Sequence, residues 1–155
     1  MILKNFRINA FTSRKLLGNP ACVVPLKKWL SDEILLKIAK KNNVSETAFF
    51  INENSKFSIR WFTPDIEMDL CGHATLAAAH CINKHLNLNF ETILFNSNIG
   101  KLSVNILNDL YQLDFPKREP IESELPEEIY NSLSIKPDKV LKSRAVSYTH
   151  LTLPT

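Results

Sequence analysis

The chain has 155 residues, 45% hydrophobic and 23% charged, with a formal net charge of +3. That describes a globular protein of one domain, or part of two, large enough to hold a core without disulfides or metal. Gly18, Gly72 and Gly100 are the only glycines and stand too far apart for a dinucleotide fingerprint or a P-loop.

The first elements alternate. Met1 to Phe11 sets Ile2, Phe6, Ile8 and Ala10 against Asn5, Arg7 and Asn9, the pattern of a strand with one buried face. A turn at Gly18-Asn19-Pro20 leads to a second strand, Ala21 to Val24. Ser31 is the expected cap of a helix whose first turn carries Asp32 and Glu33, and Ile34, Leu35, Ile38 and Ala39 give it an apolar face. Lys37, Lys40 and Lys41 make its solvated side. Phe49 to Ile51 and Phe57 to Trp61 then read as a hairpin ending at Pro64.

From Gly72 to Leu86 the pattern changes. Ala74, Leu76, Ala77, Ala78, Ala79, Cys81 and Ile82 cover every side of a helix, so it must be buried on all sides. With strands before and after it, the expected solution is a helix inside a curved or closed sheet. Strands Phe90 to Phe95, Lys101 to Leu107 and Leu110 to Phe115 follow, the last two joined tightly at Asn108-Asp109. Residues 1–115 are therefore expected to form one lobe. Residues 116–144 read as a linker or crossing segment with a short helix, Pro126 to Leu133. Residues 145–155 match neither and read as a non-native tail, with the natural chain continuing beyond Arg144.

The spread of positive charge argues against a nucleic-acid partner. No run approaches the ~18 apolar residues of a membrane span, and the alternating N-terminus is not a signal peptide. Cys22, Cys71 and Cys81 are odd in number and follow no zinc spacing, which suits reduced thiols in a cytoplasmic protein without a bound metal.

Reactive groups concentrate in Ser45-Glu46-Thr47 and in Asp69-Leu70-Cys71-Gly72-His73-Ala74-Thr75. The second leads into the buried helix, so its backbone N–H groups are unpaired donors suited to a carboxylate. His73 near the positive end of the dipole is biased toward neutral imidazole. The plainer alternative makes Asp69 a helix cap and His73 a satisfied polar residue. Glu46 precedes Ala48-Phe49-Phe50; apolar neighbours would favour its neutral form, whereas an ordinary turn glutamate faces water. Cys71 fits either a thiolate base at a helix N-terminus or a small buried hydrophobe.

Four ordered segments carry a resemblance. They are Phe11 followed by Gly18-Asn19-Pro20-Ala21 with Val23-Val24, Ser45-Glu46-Thr47-Ala48-Phe49, Ile59-Arg60-Trp61-Phe62-Thr63-Pro64, and Asp69 through Ala77. Together they resemble the N-terminal half of the phenazine-biosynthesis PhzF-like family, similar in fold to diaminopimelate epimerase. The resemblance implies an α+β protein of two lobes, each a barrel-like, mostly antiparallel sheet around a central helix, with the site in the cleft between them. It also implies a cofactor-independent isomerase acting on a small carboxylate-bearing substrate, a dihydro-hydroxyanthranilate in the phenazine pathway member. Glu46 matches the family's catalytic glutamate. Gly72 and His73 match the polar pair at the cleft, and Asn19 matches a substrate-side segment; Asp69 and Cys71 are further candidates. The full-length protein is expected to be a homodimer. The family's second lobe supplies an acidic residue and a Gly-Ser segment, and nothing after Leu107 matches them. Two other readings stay open: a diaminopimelate-type epimerase using Cys71, and a non-catalytic lobe that binds a carboxylate or pairs with itself. His73 stands where the epimerase motif carries asparagine.

Overall fold

The computed structural model describes residues 2–12, 17–53, 56–117 and 119–142, and the chain divides into two compact units, residues 1–115 and 116–155. In the first, β1 (Phe6–Ala10), β2 (Asn19–Leu26), α1 (Asp32–Asn42), β3 (Glu46–Glu53) and β4 (Lys56–Phe62) come first. They are followed by β5 (Glu67–Met68), α2 (Gly72–His80), β6 (Thr92–Ser97), β7 (Gly100–Leu107) and β8 (Leu110–Asp114). The strands form one eight-stranded sheet in the order β1-β2-β3-β4-β6-β7-β8, with β5 added beside β4. The β2–β3 and β4–β6 pairs are parallel and the others antiparallel. The fold is α+β with a curled, mostly antiparallel sheet, as expected.

The curl can be read from packing. Helix α2 touches β1 and β2 at one end of the strand order and β8 at the other, which a flat sheet does not allow. Ala74, Ala77, Ala78 and Ala79 are all buried; their small side chains let the sheet close around the helix. The α2-facing side of β3 and β4 supplies Ala48, Phe50, Phe57, Ile59 and Trp61 to this core. Their alternate residues, Phe49, Ile51 and Phe62, pack on the opposite side with Leu35 and Ala39 of α1. Strand β3 is thus covered on both faces, which explains its unbroken apolar run. Between β1 and β8 the curl leaves a cavity of ≈ 520 Å³, lined among others by Ile8, Ala10, Leu76, His80 and Tyr111.

Several local expectations need correction. Ser31 stands at the N-cap of α1, but its hydroxyl makes no capping bond; its carbonyl accepts from the N–H groups of Ile34 and Leu35. The N-cap position of α2 is held by Cys71, and Asp69, two residues earlier, is exposed. The helix expected through Leu86 is α-helical only to His80 and continues as a π-helical turn, Cys81–His85. There Phe6 stacks on His85 at 5.1 Å, and His80 Nδ1 lies 3.1 Å from the Tyr111 hydroxyl. Asn108 and Asp109 both have positive φ (48° and 66°), the backbone of a tight two-residue hairpin turn.

The second unit contains an antiparallel pair, β9 (Ile121–Glu122) with β10 (Leu141–Lys142), and the short helix α3 (Glu127–Ser132). The expected tail, residues 145–155, lies outside the described residues. No described helix is long and apolar enough to cross a membrane.

Candidate functional site

The parallel pairing of β2 with β3 sets Ala21 beside Glu46, so both strands start at the same end of the sheet. Helix α2 begins there too. Strand alternation puts Glu46 on the same face as Ala48 and Phe50, which pack against α2. That is why a residue at the head of a strand, expected on its own to face water, is only 4% exposed. His73, the second residue of α2, is 8% exposed and meets it: His73 Nε2 lies 3.2 Å from Glu46 Oε2. The other ring nitrogen, Nδ1, lies 3.4 Å from Cys71 Sγ. Three residues from two distant segments thus make one buried row, thiol to imidazole to carboxylate.

The electrostatics follow from burial. Desolvation holds the His73 imidazole below its ordinary value, against the opposing pull of Glu46 and of the Pro20 carbonyl. The ring is therefore neutral at pH 7. Burial, reinforced by the Glu46 charge, pushes the Cys71 thiol up to about 12; the backbone N–H groups of Ala74 and His73 offset this only in part. The helix N-terminus does not win, and Cys71 carries its proton. Its backbone is held firmly: the Cys71 carbonyl accepts from the Thr75 N–H at 3.2 Å and from the Thr75 hydroxyl at 2.5 Å.

Around this row stand other residues expected from the sequence. Asn19 is at the head of β2, and its Oδ1 accepts a hydrogen bond from the Ser45 hydroxyl at 3.3 Å, so the loop residue before Glu46 is tied to Asn19. Gly72 has a specific neighbour: a Cβ there would sit 3.3 Å from Cε2 of Phe115. The close approach it permits is by a ring of this same unit. Asp69 is exposed and outside the buried row. Pro20, Ser45 and Thr75 fall inside the motif segments, but their roles, through the Pro20 carbonyl, the Ser45–Asn19 bond and the Thr75–Cys71 bond, come only with the fold. Phe115, which meets Gly72 from just beyond β8, was not singled out.

The donor atoms of Glu46, Cys71 and His73 all lie within 4.8 Å of one another, and a carboxylate, thiolate and imidazole are ligands zinc accepts. The ring geometry argues otherwise. Cys71 and Glu46 address different nitrogens of His73, and one ion cannot sit on both. The arrangement is a row of close contacts rather than one coordination point: the Cys71–His73 contact has hydrogen-bond geometry, whereas the 3.2 Å contact between His73 Nε2 and Glu46 Oε2 is close but not aligned as a hydrogen bond. The ≈ 520 Å³ cavity between β1 and β8 is lined by none of the three.

A model of the family described as phenazine biosynthesis-like protein matches residues 8–150. An uncharacterized isomerase of Pseudomonas aeruginosa is 41% identical over 143 residues, covering 92% of this chain and 55% of that protein. The crystal structure of a PhzF-family phenazine biosynthesis protein from Enterococcus faecalis matches with TM-score 0.80 and 38% identity, over 91% of this chain and 54% of that one. A predicted epimerase from Pseudomonas aeruginosa shares the fold at TM-score 0.68 and 19% identity, over 79% of this chain and 46% of its own. The chain spans about half the length of the relatives it matches.

Proposed function

The chain belongs to the phenazine biosynthesis-like protein family, and from that premise we propose that it carries the acid/base lobe of a cofactor-independent isomerase. Glu46 takes a proton from one carbon of a small carboxylate-bearing substrate and returns the proton to another. The isomerase names of the relatives support the reaction class. The observation that carries the residue assignment is the buried Glu46 carboxylate held 3.2 Å from the His73 ring.

The chemistry has three parts. As the C–H bond breaks, its proton goes to the Glu46 carboxylate and its electron pair enters the substrate's conjugated system. The positive end of the α2 dipole favours negative charge at that place, either the substrate carboxylate or the charge that develops in the reaction. The neutral Glu46 carboxylic acid then protonates the second carbon, and the enzyme is restored without net proton uptake. Asn19, positioned by Ser45, borders the substrate, and Gly72 lets the Phe115 ring pack against the start of α2. In the whole protein a second lobe closes the cleft and contributes an acidic residue and a Gly-Ser segment. That protein is a cytoplasmic homodimer in this reading, and the free, buried thiols suit a reducing compartment.

The full-length gene product, given a panel of small unsaturated carboxylates, should isomerise at least one of them. Glu46→Gln should lower turnover by about 10²–10⁴-fold, the usual worth of a general base. The epimerase alternative makes Cys71 a thiolate base and predicts that Cys71→Ser is the inactive variant. The raised thiol pKa counts against it. If the lobe is purely a binding or pairing module, both variants behave as the wild type does, and light scattering shows concentration-dependent association.

A further inference from the structure

The proposed isomerase chemistry leaves the buried Cys71 thiol without a role. We propose that the Cys71 thiol is a positioning residue: it donates its S–H to His73 Nδ1, locks the ring in the Nε2–H tautomer, and thereby dedicates Oε2 of Glu46 to His73, so that the transferable proton travels on Oε1.

Three observations lead there. The sulfur is 3.4 Å from Nδ1 in hydrogen-bond geometry; the carboxylate oxygen is 3.2 Å from Nε2, close but not aligned as a hydrogen bond, so each nitrogen of one ring faces a different group and a small turn of the ring completes the second contact. A neutral imidazole has one N–H and one lone pair. If Nδ1 carried the hydrogen, Nε2 would present a lone pair to a carboxylate lone pair inside a buried site, which is repulsive. With the hydrogen on Nε2 it faces the carboxylate, and Nδ1 needs a donor, which the Pro20 carbonyl beside the ring, an acceptor only, cannot be. The protonated thiol is the group in place to supply one, since burial keeps its hydrogen on the sulfur. The chain of donors therefore runs from Cys71 through His73 to Glu46.

This direction has a consequence for proton transfer. In the ionised state Oε2 accepts from Nε2–H. When Glu46 takes a proton on Oε1, Oε2 becomes the carbonyl oxygen of a carboxylic acid and still accepts the same bond. Neither protonation state breaks the row, so Glu46 alternates between base and acid with no reorganisation of its neighbours. Without the thiol, Nδ1 becomes a buried acceptor with no donor from residue 71, and the ring loses its reason to keep one tautomer and one orientation.

The inference rests on Glu46 being the acid/base, but its test can be read without any substrate. This chain, labelled with ¹⁵N-histidine, distinguishes imidazole tautomers by the nitrogen shifts of His73, assigned with His73→Asn as the blank. At pH 7.5 the wild type is expected to show a protonated Nε2 and an unprotonated Nδ1. Cys71→Ala should populate a second tautomer or ring state and raise the His73 titration midpoint, because a bond that favours the neutral ring is lost. Cys71→Ser, which keeps a hydroxyl donor, should restore most of the wild-type spectrum. In the full-length enzyme, kcat should fall about tenfold in Cys71→Ala with KM within about twofold, and Cys71→Ser should recover most of the loss. A protonated Nδ1 in the wild type overturns the proposal, as does a Cys71→Ala spectrum and titration identical to the wild type. Should the spectra agree while Glu46→Gln keeps its turnover, the donor row stands and the isomerase assignment of Glu46 falls.

Discussion

Arg60 ties three elements together, and replacing it tests the packing account of the lobe. Its guanidinium reaches Glu67 of β5 through two bonds, Nε to Oε1 at 2.7 Å and Nη2 to Oε2 at 2.6 Å, and Asp32 of α1 through Nη2 at 2.8 Å. The same group lies 5.5 Å from the Trp29 ring centroid and 5.1 Å from that of Phe62. The side chains of Arg60 and Glu67 are 18% and 28% exposed, while Asp32 is 75% exposed. The forked pair with Glu67 should therefore carry most of the energy, about 1.5–3 kcal/mol for hydrogen bonds between charged groups. The Asp32 arm contributes under about 1 kcal/mol, and the ring contacts about 0.5–1 kcal/mol each. Arg60→Lys keeps the charge and one contact but loses the fork and the planar stacking. The expected loss is about 2 kcal/mol, or ~4–8 °C in Tm for a chain of this size. Urea unfolding of Arg60→Lys, Glu67→Gln and Asp32→Asn would measure it. The reasoning is refuted if Arg60→Lys lies within 0.5 kcal/mol of wild type or if Asp32→Asn costs more than Glu67→Gln.

Other outcomes follow from the same structure. Burial holds both His73 and His80 below the ordinary value of 6.5, so the unfolded chain binds more protons than the folded one once the pH drops through 6.5. Stability should be full above that value and fall on acidification toward pH 5, by up to about 1.4 kcal/mol per pH unit for each histidine. Urea midpoints at pH 7.5, 6.5 and 5.5 should show this, and His80→Asn should flatten the slope. The Trp61 indole N–H is buried with no hydrogen-bond partner among the described residues. Trp61→Phe removes that unmet donor as well as some packing, so calorimetry should place it within about 1 kcal/mol of wild type, whereas Phe57→Ala in the same core should cost about 3–5 kcal/mol. Gly72→Ala should bring its new methyl against Phe115 and lower kcat/KM with only a modest change in Tm.

Much of the lobe was legible because its signals are local. The alanine run of α2 needs burial on all sides, and the sheet that touches it from β1 to β8 meets that need. The positive-φ pair Asn108-Asp109 and the alternation of β4 and β7 were equally direct. The two-residue strand β5 was not foreseen, since two residues carry no period. The π-helical turn was also missed, because its composition continues that of α2 and only the backbone register changes. At the site, residue types pointed to Glu46 and His73 separately. Their meeting depends on the parallel β2–β3 register and the landing place of α2, both long-range features. Cys71 was left open between thiolate and buried thiol because burial, which decides it, is a property of the folded state.

The central claim is that a single buried carboxylate both removes and returns the proton. The direct measurement is single-turnover isomerisation in H2O of a substrate deuterated at the carbon that loses its hydrogen, with the product read by mass spectrometry. At 4% exposure Glu46 should exchange slowly with water, so part of the deuterium is expected at the new C–H position, and Glu46→Gln should form no product. Complete washout of the label, together with turnover in Glu46→Gln, would contradict the account.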